Sequence, residues 1–222
     1  MTKILEKTER TRLRRTHERG AFDRETIDSI LVAEPMCTVG YVIDGKPYVT
    51  PTLQWREGDH VYWHGSSASR ALRKSAGTDV SLTVTLLDGF VMARSGFHHS
   101  VNFRSVMLFG QAEVVPEEEK EARLTTFIEG LYPGRSAILR PNEPQEIKAT
   151  TILRMPITEG SAKVRQGQPV DDEEDYALPI WAGVIPVVRS VGALEPDPRN
   201  LEGVEPPEHV SGFVFPRYGF GN

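Results

Sequence analysis

The chain has one cysteine, Cys37, in 222 residues. No intrachain disulfide can form, which fits a reducing compartment. No apolar run approaches the roughly 18 residues that a membrane-spanning helix needs. The first residues are charged and carry no apolar segment of the kind that opens a secretory signal. The expectation is therefore a cytoplasmic protein with no membrane partner. Gly-x-Gly-x-x-Gly and Walker-type phosphate loops are absent. His-Glu-x-x-His is absent too, and a lone cysteine suits no structural zinc centre, so no metal site is expected. Ser95 or Ser100 with His98 has no nucleophile elbow to support a hydrolase. There is no internal repeat and no low-complexity segment. The formal net charge is −5, from 26 basic and 31 acidic residues, which argues against a protein devoted to nucleic acid.

What is present reads as strands. Asp23 caps a helix with an Ile27, Ile30, Leu31 stripe that Pro35 ends. Met36–Ile43, Pro47–Trp55 and His60–His64 alternate as a three-strand meander, joined by turns at Asp44-Gly45 and Glu57-Gly58-Asp59. Ala68–Ala76 reads as a short basic helix. Val80–Leu87 and Phe90–Ser95 read as strands about a second hairpin signal, Asp88-Gly89. Phe103–Val115 is a long strand with a bend at Gly110. A helix follows over Glu117–Leu131 with Pro116 at its start. Thr150–Pro156, Ser161–Gln166 and Ile180–Val188 complete the strands, and Pro186 puts the last at an edge. Many short strands, tight turns and only two sizeable helices indicate a mainly β barrel. An arginine-rich arm occupies residues 1–20, the barrel domain 21–194, and a Pro- and Gly-rich, loosely ordered tail 195–222.

Three stretches could carry chemistry. In His64-Gly-Ser-Ser-Ala-Ser-Arg70 a strand ends, small hydroxyl residues turn the chain, and a helix begins with basic side chains. Glycine and serine let backbone N–H groups and hydroxyls approach a phosphate, and Arg70 could grip its oxygens through a bidentate fork. An ordinary serine-capped surface helix would look the same. In Arg94–Met107, the residues Arg94, His98, His99, Asn102, Arg104 and Ser105 crowd polar groups between apolar strand positions, as a site for the heteroatoms of an aromatic cofactor would. His60 and His64 lie four apart on one strand, so a metal or haem site is conceivable, although most histidines are structural. Lys163 and Arg165 share a strand face and meet either an anion or solvent. The acidic run Asp171–Asp175 reads as a solvated loop. Trp181 reads as core, interface or cofactor-stacking.

Together with Met36–Thr52, Thr83–Gly89 and Trp181-Ala-Gly-Val, these stretches resemble the pyridoxamine 5′-phosphate oxidase-like FMN-binding split barrels, and among them the flavin-nucleotide-binding and nitroimidazole-reductase-like branch. The resemblance implies a six-stranded antiparallel Greek-key split β-barrel with a few flanking helices, a homodimer, and FMN between the subunits. It implies phosphate contacts at His64, Gly65, Ser66, Ser69 and Arg70, and an isoalloxazine along Val49, Thr50, Pro51, Thr52 and Leu53. It implies a partner-subunit contribution at Ser105 with Arg104 beside it, and pocket positions at Lys163, Arg165 and Trp181. The function so implied is a flavin-dependent oxidoreductase acting on a small organic molecule. The alternative is a non-catalytic flavin- or haem-binding protein of the same fold. No catalytic residue is assigned. Two family features are missing. Ala71 stands where the oxidase has a second basic residue, and residues 160–222 contain no Arg-x-His to hold pyridoxamine 5′-phosphate.

Overall fold

The computed structural model describes residues 3–215. The first helix, α1 (Arg24–Ala33), begins where Asp23 accepts a hydrogen bond from the Thr26 N–H at 2.8 Å. Its apolar stripe, Ile27, Ile30 and Leu31, is buried in the main core. The meander follows as β2 (Met36–Ile43), β3 (Lys46–Glu57) and β4 (His60–Ser66). Asp44 and Gly45 take positive φ angles of 51° and 74°. Those are the conformations of a two-residue hairpin turn, which asparagine, aspartate and glycine tolerate best.

Among the described residues ten strands form one antiparallel sheet. Besides the meander these are β1 (Gly20–Ala21), β5 (Asp79–Met92), β6 (Ser100–Gln111), β7 (Glu113–Val114), β8 (Thr150–Pro156), β9 (Glu159–Arg165) and β10 (Gly183–Pro186). The order is β1-β9-β6-β5-β2-β3-β4-β8-β7, with β10 paired to β5. The mainly β character expected from the sequence is present. The expected count of six is not reproduced: seven longer strands are present, and the two-residue β1 and β7 and the four-residue β10 add themselves to them.

Alternation along the strands divides the sheet into faces. The inward set (Val39, Leu82, Val84, Val106, Leu108, Ala162) forms the main core with α1. A second cluster of Trp55, Tyr62, Val115, Phe127 and Ile152 lies beneath α3 (Glu117–Leu131). On β4, Val61 and Trp63 belong to the first cluster and Tyr62 to the second. Cys37 lies in the main core, and burial pushes its thiol up to about 12. It stays protonated and unreactive.

One expected hairpin is absent. Asp88-Gly89 does not turn; β5 runs straight through it with a register shift between Leu87 and Gly89. The Asp88 carboxylate instead accepts from Arg104 Nε at 2.9 Å and Nη2 at 2.8 Å. Gly89 serves a close approach, since a Cβ there would lie 3.0 Å from the Ile185 carbonyl oxygen on β10. The arm packs in part on the domain: Leu5 and Thr11 are buried, and Thr8 and Arg10 bond Glu159 on β9. In the tail a short helix spans Glu208–Ser211, and residues 216–222 lie outside the described residues.

Candidate functional site

A cavity of about 110 Å³, open to solvent, lies where the end of β4 turns into α2 (Arg70–Ser75) beside β3. Thr50, Pro51, Thr52, His64, Gly65, Ser66 and Ser69 all line it, with Val39, Tyr41, Trp63 and Leu72 as apolar walls. Hairpin pairing makes this arrangement. β3 and β4 are joined antiparallel, so the middle of β3 faces the turn that follows β4. Gly65 lets α2 lie close, since a Cβ there would come 3.1 Å from Leu72 Cδ1.

The turn is held by its own backbone. The Ser67 N–H donates to the Ala149 carbonyl at 2.7 Å, and the Ser69 N–H to the Ser66 carbonyl at 2.8 Å. Ser66 Oγ accepts from the Ala68 N–H at 3.2 Å and Ser69 Oγ from the Leu72 N–H at 3.5 Å. Both hydroxyls act here as acceptors, which leaves each its own proton to donate to an anion. His64 packs edge-on against Trp55 and Phe127, with ring centroids 5.8 and 4.8 Å away. Its Nδ1 is buried with no hydrogen-bond partner among the described residues. Burial pushes its imidazolium pKa below the ordinary value of 6.5.

Arg70 stands at the rim, outside the lining residues. Its guanidinium lies 5.4 Å from the centre of the Tyr48 ring, which stacks on Tyr41, and the Tyr41 hydroxyl meets Thr50 Oγ1 at 2.8 Å. Val49 is exposed, and Leu53 packs towards the second cluster.

The other expected residues do not join the cavity. Ser105 and Lys163 face each other across β6 and β9, and Ser105 Oγ donates to the Lys163 carbonyl at 3.4 Å. Arg104 is paired with Asp88. Arg165 is buried and structural: it donates to Asn102 Oδ1, and to the Gly167 and Gln168 carbonyls at 3.3 and 3.4 Å. Trp181 is 67% exposed, with its indole against Gly183. The reading from sequence missed the walls Val39, Tyr41 and Leu72, whose ordinary apolar pattern carries no signal beyond burial. Among the described residues no group of three His, Cys, Asp or Glu side chains is arranged to hold a metal ion, and no helix is long and apolar enough to cross a membrane.

The His64 pKa has a consequence for stability. A group whose folded pKa is depressed below its unfolded value binds more protons unfolded, so stability falls as pH drops from about 6.5 towards the folded value. Denaturant midpoints taken between pH 7.5 and 5.5 should decline, and His64→Leu should flatten that slope. An unchanged slope in the variant would place the His64 imidazole in solvent.

The model of the pyridoxamine 5′-phosphate oxidase family matches residues 23–164. The flavocytochrome Anf3 of Azotobacter vinelandii is 50% identical, with 94% of this chain and 98% of that chain covered at a TM-score of 0.90. The FAD and haem binding protein of Mycobacterium smegmatis is 37% identical, with 89% and 98% covered at a TM-score of 0.86. A 5-nitroimidazole antibiotic resistance protein of Bacteroides thetaiotaomicron, 22% identical over 65% of this chain and 86% of its own, shares the fold at a TM-score of 0.54. No curated protein matches. The expectation of FMN is overturned by these relatives, one a flavocytochrome and the other a binder of FAD and haem. The physical reason is that FMN and FAD share the isoalloxazine and its first phosphate. A turn suited to that phosphate does not report the adenylate beyond it. The family match over residues 23–164 and the 50% identity across nearly the whole chain lead to one conclusion: the protein belongs to the pyridoxamine 5′-phosphate oxidase-like family.

Proposed function

We propose that the chain is a split-barrel flavohaem protein that binds FAD in the cavity between β3 and α2 and carries a haem as a second redox group. The supporting observation is the 37% identity to an FAD and haem binding protein over 98% of that protein's length. The cavity fits the flavin half of this reading. It offers hydroxyl donors at Ser66 and Ser69, a buried unpartnered imidazole nitrogen at His64, and apolar walls at Val39, Tyr41 and Trp63. Its open mouth leaves room for an adenylate to extend outward. Imidazoles at His98 and His99, outside the cavity, supply donor chemistry suited to haem iron. When bound, the two groups supply electron-transfer chemistry, and the residues' part is to bind, orient and screen them from water.

Two copies are proposed to pair through the outer sheet face. Met36, Val42, Val49 and Met107 are all exposed there, an apolar surface that a two-fold contact would cover. Ser105 and Lys163 lie on that face, in the row Thr85–Ser105–Lys163. A small organic substrate reduced or oxidised at the flavin is the second reading, and the open mouth of the cavity favours it.

The test is the colour and content of the purified protein. The absorption spectrum should carry both flavin bands and a Soret band, and extraction should return one FAD and one haem per chain. A colourless protein that accepts neither group, or one that takes flavin and never haem, would refute the flavohaem reading.

A further inference from the structure

At one end of the sheet three strands build an apolar face that the described residues leave about half exposed at Phe90 and Ile185. Phe90 on β5 pairs with Val101 on β6 and with Ile185 on β10, while the next β5 residue, Val91, pairs with Ser100 and Val184. Directly paired residues of antiparallel strands project to one face, and their neighbours to the other. Val91 is buried at 1% exposure, whereas Phe90 and Ile185 are 48% and 49% exposed. The Phe90–Val101–Ile185 face is therefore the outward one. Two residues along, Met92 pairs with Gly183, and the Trp181 ring lies against Gly183, where a Cβ would come 2.9 Å from the indole. Only glycine there lets the indole lie flat on this end of the face. His99 immediately precedes Ser100, where β6 begins opposite Val91, so it borders this end of the face.

The three histidines near the cavity and this face differ in which nitrogen is free. His64 has Trp55 and Phe127 packed against its ring, which leaves no room for a macrocycle. His98 turns Nε2 towards Asp172 Oδ2 at 3.4 Å. His99 is exposed, and its Nδ1 lies 2.8 Å from the Ser95 carbonyl oxygen. A carbonyl oxygen can only accept, so Nδ1 must carry the proton and Nε2 the lone pair. A metal-binding imidazole is typically held this way, with one N–H anchored to a carbonyl and the opposite nitrogen presented outward.

We propose that His99, through Nε2, would ligate the iron of a haem that packs against the apolar face of Phe90, Val101, Ile185 and Trp181. The proposal rests on the flavohaem reading and adds the ligand and the seat. A large flat apolar ring suits a three-stranded apolar face with an indole at its end. An ordered nitrogen donor at the border supplies what a plain hydrophobic surface lacks.

The experiment titrates hemin into the FAD-loaded full-length protein and into its His99→Ala, His99→Gly and His98→Ala variants. Absorption and electron paramagnetic resonance spectra are the readouts, and FAD content and melting temperature monitor the fold. His99→Ala should bind hemin at least tenfold more weakly, with a shifted Soret band and an altered iron signal, at unchanged FAD content. Added imidazole should return the wild-type spectrum to His99→Gly. His98→Ala should match the wild type. Wild-type spectra from His99→Ala, or their loss in His98→Ala instead, would overturn the assignment while leaving the flavohaem reading intact. A wild-type protein that holds FAD and never takes hemin would overturn both.

Discussion

Trp63→Ala should cost about 3–5 kcal/mol of stability, the range for truncating a large buried aromatic. Trp63 is 2% exposed. It sits on β4 between Gln54 on β3 and Leu153 on β8, and its side chain belongs to the main core. No neighbour can fill the space, because the sheet on both sides fixes the backbone. For a domain of this size each kcal/mol shifts the melting temperature by about 2–4 °C, so a fall of about 10 °C is expected. Trp63 is also a wall of the cavity, so the void would merge with it and flavin affinity should fall as well. Trp181→Ala makes the contrast. At 67% exposure it should change stability by no more than about 0.5 kcal/mol. Calorimetry on the two variants checks both. Equal melting temperatures for Trp63→Ala and the wild type would show that the core is not packed as described.

Much of the fold was legible because local and tertiary demands agree. Met36–Ile43 alternates as a strand and is one; Glu117–Leu131 carries Leu124, Phe127, Ile128 and Leu131 on one face after Pro116, and is a helix over those residues. Asp88-Gly89 was misread because its local turn signature is overridden from elsewhere in the chain. Arg104, sixteen positions on, takes the carboxylate, and β10, nearly a hundred positions on, needs the glycine. The cavity was legible for a related reason. Thr50 to Thr52 and His64 to Ser69 lie on consecutive strands, so a short-range hairpin brings them together. Ser105 and Lys163 are not neighbours of that cavity within one chain, since they lie on the outer face across β6 and β9. Arg165 reads as a free cation in sequence. Its role in tying down the Gly167–Gln168 loop follows only from the fold. Nothing local distinguishes an adenylate from open solvent, and the cofactor expectation failed there.

If the turn after β4 receives the flavin's phosphates, Arg70 is the residue whose loss weakens flavin binding most directly. Among the described residues the Arg70 guanidinium has the Tyr48 ring contact and no ion pair, so its charge remains available to an anion. Arg73, one turn along α2, is exposed and points no charge into the cavity lining. A charge-assisted hydrogen bond to phosphate contributes about 1.5–3 kcal/mol, which is roughly 10- to 150-fold in affinity. A solvated arginine contributes little. The decisive measurement is an equilibrium titration of the flavin-free protein with FAD, run on the wild type, Arg70→Ala and Arg73→Ala. The dissociation constant should rise at least tenfold in Arg70→Ala and stay within about twofold of wild type in Arg73→Ala. Equal constants for the two variants would contradict it.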